Sequence, residues 1–135
     1  MNVLVTGAAG FVGRNLVENL KCIRDGKNRT RSMIQINEIY AYDRNNTLEQ
    51  LDEWCGKADF VFNLAGINRP KDPSEYMEGN RDFGEELLGL LEHHGNRCPV
   101  MLSSSVQATL EGRYANSPYG ESKLAGEELL FGYGW

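Results

Sequence analysis

A tyrosine and a lysine near the end of the chain are spaced so that together they could transfer a proton. Tyr119 and Lys123 lie four residues apart, so on a helix their Cβ atoms would be neighbours on one face, about 5–6 Å apart. A free tyrosine has a pKa of about 10, which is too high for easy proton exchange at neutral pH. A neighbouring ammonium group favours the phenolate and lowers that pKa. We therefore expect Tyr119 to act as an acid or base on a carbonyl or alcohol oxygen.

A run of three serines precedes this pair and could supply a third group of the same site. Ser103, Ser104 and Ser105 follow the apolar residues 99–102, which predict a strand. A serine hydroxyl beside Tyr119 would orient the reacting oxygen, and we assign this role to Ser105. Each feature alone is common, because Y-x-x-x-K recurs by chance on helix surfaces and serines often end strands. Their combination with glycines at the start of the chain favours an active site.

Three glycines near the N-terminus predict a site for a dinucleotide. Gly7, Gly10 and Gly13 stand at intervals of three, between an apolar run and residues at helical spacing. In a strand–turn–helix unit, Gly7 would adopt backbone angles that other residues avoid, and Gly10 would let a pyrophosphate approach the main chain. Gly13 would let the helix lie close to the strand. The spacing differs from the usual G-x-G-x-x-G motif, so a purely structural turn is the alternative.

Two charged residues follow the second predicted strand, which we expect over residues 34–42. Asp43 and Arg44 stand where a dinucleotide-binding fold presents side chains to the adenosine ribose. A carboxylate would bind the free 2′-hydroxyl of NAD, whereas a guanidinium group would bind the 2′-phosphate of NADP. The two side chains leave both cofactors open.

Alternating strand and helix patterns predict how these residues are positioned. A short helix is expected after Thr47, a buried strand over residues 59–66, one continuous helix from about Pro73 to His94, and a last helix from Pro118. The connection between the second and third strands is too short for an additional helix and strand. The pattern therefore predicts an α/β protein with a Rossmann-like, doubly wound parallel sheet, truncated after the fourth or fifth strand.

The composition narrows the class of protein. The 135 residues suffice for one domain, and a net charge of -5 argues against a nucleic-acid partner. Three cysteines without a C-x-x-C pair indicate reduced thiols and no metal site. No apolar run is long enough to span a membrane, and the chain opens directly on a strand without a signal peptide. We expect a cytoplasmic protein that binds neither membranes nor nucleic acid.

Four short motifs together resemble the extended short-chain dehydrogenase/reductases, also called the NAD-dependent epimerase/dehydratase family. They are Thr6-Gly7-x-x-Gly10-x-x-Gly13, Leu64-Ala65-Gly66, Ser103-Ser104-Ser105 and Tyr119-x-x-x-Lys123. The longer stretches 64–70, 102–108 and 118–127 are similar to one branch of capsule and O-antigen reductases. That branch forms UDP-2-acetamido-2,6-dideoxy-L-talose. The resemblance covers essentially the whole chain.

The resemblance implies a role for each matching residue. Tyr119 would donate a proton to the C4 ketone of a UDP-4-keto-6-deoxy-hexosamine, Ser105 would polarise that ketone, and Lys123 would bind the nicotinamide ribose and tune Tyr119. The branch is NADPH-linked and Arg44 matches its basic position, so NADP(H) is favoured and NAD(H) remains possible. Asn80 matches a helix asparagine of the family, with a structural role as the alternative. The implied cofactor contacts are Gly7, Gly10, Phe11, Val12, Gly13, Asp43, Arg44, Leu64, Ala65, Gly66, Ser103, Tyr119 and Lys123.

Members of the family continue beyond this length into a sugar-binding lobe and, in this branch, a C-terminal cupin domain. We therefore interpret residues 1–135 as the N-terminal dinucleotide-binding portion, which by itself would bind cofactor but reduce a UDP-sugar poorly. Extended members commonly dimerise through two helices, here about 73–94 and 118–131, so a homodimer is expected. An NAD-dependent nucleotide-sugar epimerase or dehydratase is one alternative, although Val106-Gln107 replaces the Asp-Glu pair usual in dehydratases. A non-catalytic dinucleotide-binding module is the other.

Overall fold

The computed structural model describes residues 1–31, 33–67 and 70–133, and these form an α/β fold around one parallel sheet. Its strands are β1 (Asn2–Thr6), β2 (Glu38–Tyr42), β3 (Phe60–Asn63) and β4 (Val100–Leu102). Their order across the sheet is β2-β1-β3-β4, with each neighbouring pair parallel. The carboxyl ends of all four strands therefore lie at one edge of the sheet, where open α/β proteins bind their ligands.

Helices connect the strands in the alternating order that the sequence predicts. α1 (Phe11–Arg24) follows β1, and α2 (Leu48–Lys57) follows β2. Between β3 and β4 lie α3 (Ser74–Met77) and α4 (Phe83–His93), joined by a π-helical turn over Glu78–Asp82. α5 (Pro118–Phe131) follows β4. Short 3₁₀ turns occupy Arg29–Arg31, Val106–Thr109 and Gly112–Tyr114.

The two faces of the sheet carry separate apolar cores because successive residues of a strand point to opposite faces. Val3 and Val5 of β1 face α1 and pack with Val17 and Leu20. Leu4 faces the other side, where it packs with side chains of α2 and α4. This second core is lined by Leu51, Cys55, Val61, Leu87, Leu88, Leu91 and Cys98. Helices thus cover both faces, as the doubly wound arrangement requires.

Side-chain caps determine where two of the helices begin. Thr47 and Gln50 form a reciprocal capping box at the start of α2. The Ser117 hydroxyl accepts a hydrogen bond from the Gly120 N–H at 2.9 Å and caps α5, with Pro118 in the first turn. At the end of α4, Gly95 has a φ of 65°, and the helix stops there as predicted.

Three details differ from the sequence-based expectations. The second strand begins at Glu38 and not near Ile34, because the residues just before it bond to the terminus instead: the Met1 amino group donates to the Gln35 carbonyl. The predicted continuous helix of residues 73–94 is interrupted by the π-helical turn. The third strand covers Phe60–Asn63 and not residues 59–66. At the end of α4, the His94 side chain bonds Asp52 of α2 through Nε2 at 2.7 Å.

The predicted absence of an outermost strand agrees with the described part of the chain. The connection from β2 to β3 contains α2 alone, so β2 is one edge of the observed sheet and β4 is the other. None of the helices in the described ranges has the length and apolar character needed to cross a membrane.

Candidate active site

The glycine turn after β1 is held by contacts that leave no space for side chains. Gly7 has a φ of +67°, and a Cβ at this position would lie 2.7 Å from the Leu64 carbonyl carbon. A Cβ on Gly13 would lie 2.1 Å from the Gly7 carbonyl oxygen. Gly10 is the N-cap residue of α1 and offers no capping side chain, so the first N–H groups of this helix are available to an anion.

The loop after β3 is attached to the end of β1 through Thr6. The buried Thr6 hydroxyl donates to Asn63 Oδ1 at 2.7 Å and accepts from the Ala65 N–H at 3.2 Å. This pair of hydrogen bonds sets Leu64, Ala65 and Gly66 directly against the glycine turn.

A cleft of about 670 Å³ opens between these two loops and the end of β2. Several of the predicted cofactor residues line it, namely Gly7, Gly10, Asp43, Arg44, Leu64, Ala65 and Gly66. The others that we predicted in the glycine motif lie beside it: Gly13 is buried behind the turn, whereas Phe11 and Val12 are 85% and 60% exposed at the start of α1. Residues that sequence analysis did not propose complete the wall: Ala9, Tyr42, Asn45, Ile67, Gly79 and Phe83.

The loop that carries the two charged candidates is ordered by its own hydrogen bonds. Asp43 Oδ1 accepts from the Asn45 N–H at 2.8 Å, and the Asp43 N–H donates to Asn46 Oδ1 at 2.9 Å. Asp43 is therefore half-buried with one carboxylate oxygen engaged, while the Arg44 side chain is exposed. Both groups face the same end of the cleft.

The three predicted catalytic residues come together on the far side of the loop after β3. Tyr119 and Lys123 lie on α5, and the Lys123 Nζ is 5.6 Å from the centre of the Tyr119 ring. Ser105 begins the 3₁₀ turn after β4, where its hydroxyl accepts from the Gln107 N–H at 3.2 Å and lies near enough to the Tyr119 phenol to favour the phenolate. Lys123 Nζ also donates to the Ser103 carbonyl at 3.2 Å, so Ser103 enters this group through its main chain.

The environment of the phenol differs from our expectation. Burial raises the pKa of Tyr119 above its ordinary value, and the nearby Ser105 hydroxyl opposes this shift only in part. The predicted lowering by Lys123 is not observed, because its ammonium lies over the ring and bonds Ser103 rather than the phenol. Burial also lowers the pKa of Lys123, as expected for an ammonium removed from water.

Gly66 connects the cleft to the catalytic group. A Cβ on Gly66 would lie 3.2 Å from the Lys123 Nζ and 2.7 Å from Asn80 Oδ1. A ligand that follows the cleft past Gly66 therefore reaches the lysine next. Within the described residues, Lys123, Tyr119 and Ser105 do not line the cleft themselves, and Gly66, which does, is the link between the cleft and the lysine.

Two contributors to this site were missed or left open by sequence analysis. Tyr76 of α3 packs edge-on against Tyr119 with ring centres 5.4 Å apart. Asn80, in the π-helical turn, is 6% exposed; its amide accepts from the Ile67 N–H at 3.0 Å and donates to the Ser122 hydroxyl at 3.0 Å. The available signal for Asn80 was a polar residue within an otherwise apolar helix face.

No group of three His, Cys, Asp or Glu side chains within the described ranges could hold a metal ion. The longer motif 64–70 includes Asn68 and Arg69, which lie outside the described residues. The two helices predicted to form a dimer interface pack on each other within the chain: a Cβ on Gly126 of α5 would lie 2.8 Å from the Asn80 carbonyl oxygen.

Comparison with known proteins agrees with this geometry. The chain is 38% identical, over 130 residues, to the UDP-2-acetamido-2,6-beta-L-arabino-hexul-4-ose reductase of Pseudomonas aeruginosa, covering 96% of this chain and 31% of the reductase. It is also 38% identical to the capsular polysaccharide assembling protein CapF of Staphylococcus aureus, with a TM-score of 0.70 over 97% of this chain and 31% of CapF.

A third similarity is to MoeE5, solved in complex with UDP-glucose and NAD, with 30% identity and a TM-score of 0.65 over 96% of this chain and 48% of MoeE5. The chain thus spans about a third to a half of the length of these relatives. The sequence profile of the NAD dependent epimerase/dehydratase family matches residues 3–134. With that match over nearly its entire length, and with the glycine turn and parallel sheet described above, the chain belongs to the NAD-dependent epimerase/dehydratase family.

Proposed function

We propose that this chain is the dinucleotide-binding portion of an NADP(H)-dependent reductase of a UDP-4-keto-6-deoxy-hexosamine in capsule or O-antigen sugar synthesis. The observation that carries the proposal is the convergence of Ser105, Tyr119 and Lys123 beside Gly66, which lines a cleft together with the glycine turn. The reductase from Pseudomonas aeruginosa, at 38% identity, supports the substrate class. Since this chain spans 31% of that relative, we propose cofactor binding for the chain itself and reduction for the longer protein.

The residues present fit a nicotinamide dinucleotide. Side chains are excluded at Gly7 and Gly13 by backbone contacts under 3 Å, which leaves the bare turn and the first N–H groups of α1 to hold a pyrophosphate. Asp43 and Arg44 line the cleft where the adenosine ribose would bind. Lys123, next to Gly66, would bind the hydroxyls of the second ribose. When bound, the nicotinamide supplies the hydride.

The protein's own groups supply the proton and orient the ketone. The phenol holds its proton at neutral pH, as an acid in the reductive direction must, but burial raises the pKa of Tyr119 and makes it a weaker proton donor than a free tyrosine. The Ser105 hydroxyl, which lies beside this phenol, would donate to the same ketone oxygen. The Tyr76 ring covers another side of Tyr119 and excludes water there.

The preference for NADP(H) rests on the state of the two charged side chains. One oxygen of Asp43 already accepts a hydrogen bond from the Asn45 N–H, whereas Arg44 is exposed at the cleft. A free guanidinium group can form bidentate hydrogen bonds with a 2′-phosphate. NAD remains the second candidate because Asp43 also lines the cleft, and this cofactor would accompany the epimerase alternative.

Calorimetric titration with NADPH and with NADH tests the proposal. We expect tighter binding of NADPH, and Arg44→Ala should remove that preference, while the control Arg24→Ala, on the exposed end of α1, should not. A preference for NADH that is lost in Asp43→Ala would overturn the NADP(H) assignment and favour the epimerase. Binding of neither cofactor would overturn the proposed function as a whole.

Two further parts of the proposal concern the assembly and the location. We place a homodimer interface on α4 and α5, which lie side by side in the chain, and we place the protein in the cytoplasm. Light scattering tests the first: a single monomeric mass across the concentration range would contradict it. Fractionation of cells that carry a tagged chain tests the second.

A further inference from the structure

Three consecutive serines contact three side chains on one face of α5. The residues on the helix are Tyr119, Lys123 and Glu127, spaced at i, i+4 and i+8, which places them in one row. The first two contacts, from Ser105 to the phenol and from Lys123 to the Ser103 carbonyl, belong to the site described above. The third is a hydrogen bond from the Ser104 hydroxyl to Glu127 Oε1 at 2.5 Å, and the proposed reaction does not use it.

Residues 103–105, the serine segment, depend on such contacts because the sheet gives them few main-chain hydrogen bonds. β4 has three residues and pairs, within the described ranges, with β3 alone. The last main-chain bond of this ladder runs from the Ser103 N–H to the Asn63 carbonyl. Beyond this point the chain leaves the sheet: Ser105 accepts from the Gln107 and Ala108 N–H groups of its own 3₁₀ turn, whereas the Ser104 hydroxyl bonds Glu127 of α5.

The bond to Glu127 is the strongest type available to Ser104. A hydroxyl that donates to a carboxylate forms a short, charge-assisted hydrogen bond, roughly twice as strong as a neutral one. Glu127 is partly buried on α5. The start of this helix, at Ser117 and Gly120, is attached to the 3₁₀ turn Val106–Thr109. The Ser117 hydroxyl donates to Gln107 Oε1 in that turn at 2.9 Å. The backbone that carries this carboxylate is therefore attached to the same turn that follows the serines.

We infer that Glu127 is a positioning residue, which holds residues 103–105 against α5 through Ser104 so that Ser105 reaches the phenol of Tyr119 and the Ser103 carbonyl reaches Lys123. The consequence for reduction rests on the proposed function. The positioning role itself does not depend on the proposed function, because it concerns contacts within the chain.

Titration of the Tyr119 phenol by ultraviolet absorbance tests this role without cofactor or sugar. Subtracting the titration curve of the Tyr119→Phe variant from that of each protein isolates the ionisation of Tyr119 from that of the other tyrosines. The groups that face this phenol are Ser105 from the serine segment, Tyr76 from α3 and Lys123 from its own helix. Only the contact with Ser105 is expected to change when Glu127 is replaced.

Glu127→Ala and Ser104→Ala should each raise the pKa of Tyr119, because the Ser105 hydroxyl, which favours the phenolate, is no longer held beside it. We expect a decrease of roughly two- to tenfold in the ionisation constant, the effect of one hydrogen bond. The double variant should show no further change, and Glu127→Gln, whose amide oxygen can still accept, should restore part of the effect. The matched control is Glu128→Ala, which removes an exposed neighbouring carboxylate.

An equal pKa of Tyr119 in Glu127→Ala, Ser104→Ala and Glu128→Ala would overturn the inference. The bond between Ser104 and Glu127 would then be an incidental surface contact. Additive shifts in the double variant would overturn it as well. Ser104→Ala changes an exposed side chain, so it keeps the test valid if Glu127→Ala does not fold. Failure of NADPH to bind would contradict the proposed function and leave this result unaffected.

Discussion

The Asn80 amide donates a hydrogen bond to the Ser122 hydroxyl at 3.0 Å, and so joins the π-helical turn to α5 one residue before Lys123. Both side chains are buried, and the Ser122 hydroxyl itself donates to the Tyr119 carbonyl. The same asparagine accepts from the Ile67 N–H. One residue thus connects the loop that lines the cleft to the helix that carries the proposed acid. The asparagine lies within the π-helical turn, a feature that is frequent at functional sites.

Replacement of Asn80 by alanine should destabilise the fold and weaken cofactor binding together. The Ile67 N–H and the Ser122 hydroxyl would lose partners in a buried site, at about 1–3 kcal/mol for an unsatisfied group. Urea unfolding measures the change, with Asn19→Ala on the exposed face of α1 as the control. An unfolding free energy equal to that of the control would contradict the role that we assign to this amide.

Replacement of Gly66 by alanine should weaken NADPH binding while the fold remains. The added methyl group would meet Asn80 Oδ1 at 2.7 Å and Lys123 Nζ at 3.2 Å, so either the loop or the lysine must move. Gly89→Ala is the matched control, because a Cβ there meets nothing within 4 Å; this change in α4 should stabilise the protein by roughly 0.5–1 kcal/mol. Calorimetry and thermal unfolding report the two effects, and unchanged NADPH affinity in Gly66→Ala would refute the first.

The three cysteines should differ in reactivity toward a thiol reagent. Burial raises the pKa of Cys55 to about 12 and also raises that of Cys98, so neither forms the reactive thiolate near neutral pH. Cys22 on α1 is only half-buried. We expect one thiol to react quickly with a chromogenic disulfide and the other two only after addition of denaturant. Rapid reaction of all three in the native protein would show that the second core is more open than described.

The protein should lose stability at alkaline pH, and Tyr133 should contribute to that loss. Its hydroxyl donates to the carbonyls of Asn96 and Cys98, and its pKa is raised from about 10 to about 12. Because the folded state binds this proton more tightly than the unfolded state, its stabilising contribution is complete below about pH 10 and is lost as the pH rises toward 12.

Tyr133→Phe provides the test of this contribution. The variant should lower the free energy of unfolding at pH 7 by about 0.5–1.5 kcal/mol and should flatten its decline above pH 10. Denaturant unfolding at a series of pH values measures both effects. A decline as steep as that of the wild type would assign the alkaline sensitivity to Cys55, Cys98 or Tyr119 instead.

Local sequence signals determined much of the fold. The glycine spacing after an apolar run predicted the turn at Gly7, since few residues other than glycine adopt a φ of +67°. Thr47 and Ser117 predicted where α2 and α5 begin, because N-caps act within one turn. The alternation of strand and helix patterns predicted the parallel sheet, because each of these patterns also acts over a few residues.

Relations between distant segments were decided by the tertiary structure alone. No local pattern showed that Tyr76 would pack against Tyr119, that Asn80 would bond Ser122, or that Ser104 would bond Glu127. The pKa of Tyr119 belongs to the same group: spacing predicted a lower value, but burial beneath other elements raised it. The i, i+4 rule describes neighbours on one helix, whereas desolvation depends on everything that packs around a side chain, and only the folded chain determines that.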